Sequence, residues 1–451
     1  MPTKDQPASA VIPGPKGSPL AWGQAMAKDA LGYMLSLQKQ YGDIVKVPWL
    51  FPTFQITDPD LVGKILLGTE KTNQKSFVYK RLSPLLGHGL VTSNGEFWKK
   101  QRRLSNAAFH AKVLAALVPM MQSEADKMVQ SWKLRSGEER TIDISAEMMK
   151  LTFQIIVRAL FSTDLSEKSK IISDALHEMQ EYANYLFYAL APIPLMIPTA
   201  KNRRAKSALR RMDAVVYDLI NEHRRQPEAY HDLLSIYLSA RDEETGAGMS
   251  DRQLRDEVTT LMLAGHDTTA TTLSMCFELL SRHPEAQAKV ADELHTLPSG
   301  PWQAEDLKGL NYTAMVFAEA LRLFPATWGI GRELTEDLSY KNFNFPKGAT
   351  MLLSQYLTHR HPAYWEEPEA FKPERFAPDA PRKHHPFAYF PFGGGQRSCI
   401  GSQLSRLEAQ VIMASILKHF EVLPVAGAAV KMLPRITLIF VGGVPLSFKA
   451  K

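Results

Sequence analysis

Cysteine is nearly absent from this chain: two residues, Cys276 and Cys399, among 451. Two thiols cannot form a disulfide framework, so the fold must rest on an apolar core, and such usage suits a reducing compartment. Long apolar runs are missing as well, since none reaches the ~18 residues of a membrane-spanning helix. The nearest, Tyr185 to Pro198 (YLFYALAPIPLMIP), has three prolines in its last seven residues, which break it as a span. The first 20 residues hold five prolines and no signal-peptide core. Charge of one sign is scarce too. With 53 Lys and Arg against 47 Asp and Glu, the net charge is +6, too little for nucleic-acid binding without a concentrated patch. Gly (26) and Pro (29) stand near average usage, which excludes collagen-like or low-complexity architecture. The expectation is a soluble, cytoplasmic, monomeric protein without a transmembrane segment and without nucleic acid as a partner.

What is present is organised by proline. Residues 101–191 contain one, Pro119, whereas 323–401 contain nine. The proline-poor middle, with its 3.6-residue periodicity, reads as helices, and the proline-dense part as turns, short strands and loops. GDIVKVPW and Phe54–Thr57 read as a short hairpin, and Phe345–Leu353 (FPKGATMLL) as a further strand. The basic cluster Lys201, Arg203, Arg204, Lys206, Arg210 and Arg211 follows the Tyr185–Pro198 stretch. Apolar followed by basic suits a lip on a membrane surface or a substrate entrance. The preferred reading is an apolar connection packed on the core, followed by a helix with a solvated basic face. The chain therefore reads as a proline-rich segment 1–20 and one domain, 21–451, mainly α with a small β lobe.

The most informative helix starts after Ser250, which forms a capping box with Gln253, and runs to the break at His283-Pro284. Its expected span, 251–282, is about 48 Å long and apolar or small nearly all round from Val258 to Leu280, so it should be buried. Within it lies Ala264-Gly265-His266-Asp267-Thr268-Thr269. Gly and clustered Thr are poor choices for a buried helix, and a carboxylate there is costly unless it has partners or a task. The segment reads either as a bent core helix with a satisfied Asp267 or as a polar notch meeting a ligand. As a metal dyad, His266-Asp267 lacks further ligands at metal spacing.

The second constellation is Phe392-Gly393-Gly394-Gly395-Gln396-Arg397-Ser398-Cys399-Ile400-Gly401. The glycines permit φ > 0 and close approach to the backbone. No Gly-Lys-Ser/Thr follows, which excludes a phosphate cradle. Gln403–Phe420 reads as a helix, so Cys399 lies just before a helix N-terminus with Arg397 nearby, a setting that favours the thiolate and could hold iron. Cys276, between Met275 and Phe277, reads as inert core.

Phe392-x-x-Gly395-x-Arg397-x-Cys399-x-Gly401 resembles the haem-binding loop of the cytochrome P-450 family of haem-thiolate monooxygenases. Five further segments are similar to that family in order and spacing. Ala264-Gly265-x-Asp267-Thr268-Thr269 resembles its oxygen-activating helix. Glu319-Ala320-Leu321-Arg322 resembles its Glu-x-x-Arg helix, and Pro373-Glu374-Arg375-Phe376 the segment whose Arg joins that pair. Trp98-x-x-x-Arg102 resembles the helix reaching the haem propionates, and Ile12-Pro13-Gly14-Pro15 the N-terminal turn.

The resemblance implies the fold of that family, with helix 251–282 over haem b and Cys399 as its iron ligand. It implies haem contacts from Phe392, Ala264, Gly265 and Arg397, and propionate contacts from Trp98, Arg102 and Arg332. Thr268 and Asp267 become the catalytic pair that handles protons from solvent. Glu319 and Arg322, one helical turn apart, would form with Arg375 a buried structural network, since Arg has five donors. A thiolate ligand favours cleavage of dioxygen, so the implied reaction is hydroxylation of a hydrophobic substrate. A fatty acid is the first choice and a terpenoid the second. No flavin or iron–sulfur motif follows Cys399, so a ferredoxin or flavodoxin-type donor is expected, docking near Trp98–Arg103 and the Cys399 loop. A peroxygenase or isomerase on the same fold, or a haem-based sensor, is the alternative. The acid–Thr pair argues against the former and the lack of a signalling domain against the latter. His88, in Leu86-Gly87-His88-Gly89, reads as a turn residue.

Overall fold

The computed structural model describes residues 10–134, 139–162, 166–189, 191–380 and 384–451. Residues 1–9 of the proline-rich segment lie outside them. The chain gathers into two compact units, each assembled from three chain segments: Met1–Tyr79, Thr327–Ala370 and Pro381–Cys399 in one, and Lys80–Ala326, Phe371–Ala380 and Ile400–Lys451 in the other.

The first unit holds helices α1 (Pro19–Tyr41) and α2 (Pro59–Leu66) and strands β1 (Ile44–Val47), β2 (Thr53–Ile56), β3 (Asn73–Lys75), β4 (Ile330–Leu334) and β5 (Thr350–Leu353). The strands form one sheet in the order β1-β2-β5-β4-β3. β1 and β2 are the expected hairpin, with Ile44 opposite Ile56 and Val47 opposite Thr53. β2 then pairs in parallel with β5, a long-range contact that fits a chain returning after some 300 residues. Apolar residues of these strands and of α2 bury one continuous cluster: Phe54, Ile56, Leu61, Val62, Ile65, Ile330, Met351 and Leu353. Asp58 caps α2 by accepting from Leu61 N–H at 3.0 Å, satisfying one of the orphan donors of its first turn.

The second unit is mainly α. Its site-bearing helices are α3 (Gly95–Asn106), α4 (Ile144–Phe161), α5 (Ser166–Tyr188), α6 (Ala200–Arg225), α7 (Asp251–Arg282), α8 (Asn311–Leu323) and α9 (Ser402–Leu417). α7 occupies the span expected from sequence, and its capping box is formed: Ser250 Oγ accepts from Gln253 N–H, and Gln253 Oε1 from Ser250 N–H at 2.7 Å. It packs along α4, where Thr152 Oγ1 donates to the His266 carbonyl at 3.0 Å. A Cβ on Gly265 would come within 3.3 Å of Ile156, so that glycine lets two helices close on one another.

Helix α9 stops earlier than its sequence suggests. Phe420 opens a strand, Phe420–Pro424, that pairs with Pro445–Ala450, which also pairs with Glu139–Asp143. The helical periodicity of 403–420 yields there to pairing with the C-terminal strand, which propensity cannot foresee. A hairpin of β6 (Lys431–Pro434) and β7 (Leu438–Val441) completes this unit.

The Tyr185–Pro198 stretch departs from the preferred reading. Tyr182 and Leu186 on α5 are buried, but Ile193, Met196 and Ile197 are 43%, 79% and 47% exposed. α5 ends at Tyr188, before the prolines, and the segment beyond has no periodic face to bury. Asn202 Nδ2 instead donates to the carbonyls of Pro194 and Ile197, fixing the main chain while the apolar side chains face outward. Among the described residues no single helix is long and apolar enough to cross a membrane.

Candidate haem-binding and proton-transfer site

The Cys399 loop belongs to the first unit. Cys399 N–H donates to the Phe392 carbonyl at 2.8 Å, Gly393 N–H to that of Phe390 and Ser398 N–H to that of Gly395, which folds the loop back on itself. Gln355 Nε2 donates to the carbonyls of Phe390 and Pro391, both at 3.0 Å. His359 Nε2 accepts from Phe390 N–H. Gly395 sits at φ 65°, and a Cβ there would lie 2.3 Å from the Leu66 carbonyl oxygen, so only glycine fits. Cys399 is exposed at the end of this loop, whereas Cys276 is buried. Burial pushes the Cys276 thiol far above its usual range, leaving it inert.

Two guanidiniums of the same unit stand close to the loop. Arg332 lies on β4 and is 5% exposed. Burial pulls its guanidinium below the ordinary value, opposed by Tyr79 beside it. Arg397 is lowered first by burial and then by the charge of Arg332, against which Glu70 acts through a 2.8 Å ion pair. Two desolvated, mutually repelling cations, with a carboxylate paired to Arg397, suit a further anion, such as a propionate.

In the second unit, α7 is buried along nearly its whole length. Between Leu254 and Ser281 every residue is buried except Leu263, Ala264, Gly265 and Thr268. These lie on neighbouring turns and form one accessible strip in the middle of a core helix. Thr268 Oγ1 donates to the Ala264 carbonyl at 2.8 Å, so the hydroxyl answers a helix carbonyl and keeps its lone pairs for another donor. Asp267, one residue earlier, is 2% exposed. Its Oδ2 accepts from Thr437 Oγ1, and its Oδ1 is buried without a hydrogen-bond partner. Thr437 stands 170 positions from Asp267, and no local pattern in the sequence marks it. His266 turns away: its Nδ1 lies 2.7 Å from the Met262 carbonyl and its ring meets Phe153 edge-on. Among the described residues no group of three metal-ligating side chains forms.

On α3, Trp98 is 4% exposed and Arg102 follows one turn later. The basic face around them is partly neutralised from within. Arg103 pairs with Asp242 and Glu244, both at 2.9 Å, and Lys99 with Glu96 at 2.5 Å. His88 is a turn residue, its N–H donating to Asp256 at 2.8 Å and its ring meeting Phe97.

The Glu319 carboxylate on α8 takes two bonds from Arg322, at 2.7 and 2.8 Å, with both side chains fully buried. Lys372 N–H donates to it at 2.9 Å, and Arg375 Nε lies 3.4 Å away. Buried Glu319 and Arg322 thus meet the part-buried Arg375, tying α8 to the 372–375 segment.

Each unit thus carries features that a haem requires: an accessible thiol and a cation pair in one, an indole, an Arg and an accessible strip beside a buried acid in the other. The family model for cytochrome P450 matches residues 13–444. The chain is 34% identical to the cyclooctatin synthase of Streptomyces melanosporofaciens, covering 97% of this chain and 96% of that one. It is also 34% identical to the cyclooctat-9-en-7-ol 5-monooxygenase of the same organism, over 91% and 89% of the two chains. The solved structure of the retinoic acid-bound cyanobacterial CYP120A1 superposes with a TM-score of 0.86 at 25% identity, over 98% of this chain and all of that one. The fold is that of haem-thiolate oxidoreductases, mainly α with small sheets. The chain belongs to the cytochrome P450 family, and it is a monooxygenase.

Proposed function

We propose that this monooxygenase hydroxylates a C–H bond of a terpenoid on haem b held through Cys399. The observation that carries the reading is the accessible strip of α7, where Thr268 adjoins a buried carboxylate with one unanswered oxygen. Bound haem, with a thiolate ligand, supplies the oxygen-activating chemistry. Arg332 and Arg397 would hold a haem carboxylate and thereby relieve their mutual repulsion, and Trp98 and Arg102 would also donate to the haem carboxylates. Ala264, Gly265 and Phe392 line the cofactor. The Thr268 hydroxyl orients a proton, and Asp267 Oδ1 exchanges protons with solvent, while the buried turns on either side keep bulk water out. Glu319, Arg322 and Arg375 brace the scaffold without touching the reaction.

A terpenoid is preferred over a fatty acid because a relative at 34% identity is named for a cyclic alcohol, cyclooctat-9-en-7-ol. The electron donor is a separate ferredoxin or flavodoxin-type protein that docks near Trp98–Arg103. The two units act as one catalytic domain over 21–451, in the cytoplasm and as a monomer.

Reduction with dithionite under CO should give a thiolate-type Soret shift that Cys399→Ala abolishes. A shift that survives the substitution overturns the ligand assignment. Thr268→Ala should keep the shift but divert about tenfold more of the reducing equivalents to peroxide, and unchanged coupling overturns the proton role. Spin-state shifts across a panel of terpenoids and fatty acids rank the substrate class, and tighter shifts with fatty acids overturn the terpenoid reading.

A further inference from the structure

Thr437 lies at the tip of the β6–β7 hairpin. Pro434 pairs with Leu438 across it, and Arg435 N–H donates to the Thr437 carbonyl at 2.8 Å, closing a tight end. This tip is bonded to two helices of its unit. Towards α7, Thr437 Oγ1 donates to Asp267 Oδ2, and one turn further along Thr271 Oγ1 donates to the Leu438 carbonyl at 3.2 Å. Towards α5, Ile436 N–H donates to Asn184 Oδ1 at 3.1 Å, and the Tyr188 hydroxyl to the Pro434 carbonyl. Leu438 N–H also donates to the Ala326 carbonyl at 2.8 Å.

Asp267 is therefore held by a residue distant in sequence and by no side chain of its own helix. A buried carboxylate is costly unless hydrogen bonds answer it. Here one oxygen is answered by Thr437 and the other is left open. A side chain with two oxygens and one anchor has a defined rotamer and a defined free oxygen. Remove the anchor, and the carboxylate can turn either oxygen towards the helix or the hairpin.

We infer that Thr437 is a positioning residue for proton delivery: its hydroxyl fixes the Asp267 rotamer so that Oδ1 stays available, and the hairpin tip makes that rotamer depend on α5. The inference rests on the reading of Asp267 as the proton carrier. Thr437 does not itself pass a proton; it donates one hydrogen bond and sets a direction. A purely structural latch would lower stability when cut, but would leave proton-transfer signatures unchanged.

The test uses the haem-loaded protein with its electron donor and the panel terpenoid giving the largest spin-state shift. It compares Thr437→Val, Thr437→Ser and Asp267→Asn. Readouts are peroxide per electron pair consumed, the solvent deuterium isotope effect on oxygen consumption, and amide exchange of residues 435–438 without substrate. Thr437→Val should raise peroxide release about threefold or more, as loss of a charge-assisted hydrogen bond would, and alter the isotope effect. It should also speed exchange at the tip. Thr437→Ser, which keeps the hydroxyl, should behave as the parent. If Asp267→Asn uncouples while Thr437→Val does not, the positioning role fails and the Asp267 assignment stands. If Asp267→Asn couples normally, the Asp267 reading falls and the inference with it. A Ser variant as uncoupled as the Val variant, or a Val variant that loses the thiolate-type CO spectrum, also overturns the proposal.

Discussion

At the scale of single residues, environment separates chemically identical groups. Cys276 and Cys399 are the same thiol, yet one is sealed in the core and the other ends a glycine loop. Glu408 on α9 shows the same effect in a carboxyl: it is 4% exposed, and its Oε1 has no hydrogen-bond partner. Burial pushes it from 4.5 up to about 8. Because the folded state holds this proton more tightly than the unfolded chain, stability falls as pH rises from about 4.5 to about 8, then levels off. Glu408→Gln removes the dependence. Its advantage over the parent in thermal unfolding should be small near pH 5 and grow to an upper bound of about 5 kcal/mol above pH 8. A difference that stays flat across this range would show that the carboxyl is not held neutral.

At the scale of elements, the glycines of the Cys399 loop illustrate how backbone geometry restricts sequence. Gly395 combines a positive φ with a carbonyl oxygen where its Cβ would stand, whereas Gly348, at φ 81°, faces open space. Gly348→Ala should cost only the left-handed backbone, about 1 kcal/mol. Gly395→Ala adds a clash with Leu66 and should cost about 2 kcal/mol or more, with loss of haem on gel filtration. Equal effects of the two substitutions on melting temperature would deny the clash. The glycines and Cys399 are legible as a loop in sequence, but the reason for Gly395 is not. Leu66 comes from α2, more than 300 residues earlier.

At the scale of the molecule, each compact unit is stitched from three separated segments, so stability depends on contacts that local sequence does not announce. The Glu319–Arg322 pair, with Lys372 and Arg375 against it, is such a junction. Cutting one partner leaves a buried charge uncompensated, so Glu319→Gln should destabilise by about 3–5 kcal/mol in denaturant unfolding. A loss under 1 kcal/mol would mean that water reaches the pair. The pair itself could be read from Glu and Arg at one helical turn, and the family resemblance implied Arg375 as its third member. Thr437 on Asp267 could not, because neither residue type nor spacing singles out one threonine of a distant hairpin.

By itself the sequence determined the periodicity of α7 and its cap, the hairpin at β1–β2, the glycine loop carrying Cys399, and the motif order that marks the cytochrome P450 family. These depend on residues within a turn or two of one another, where propensity and sterics act directly. Only the tertiary structure decided which face of α7 stays accessible, which oxygen of Asp267 is answered, and where α9 yields to a strand. It also decided that Ile193, Met196 and Ile197 face outward. All but the last of those outcomes are set by partners tens to hundreds of residues away, and burial and hydrogen-bond satisfaction exist only once those partners have met.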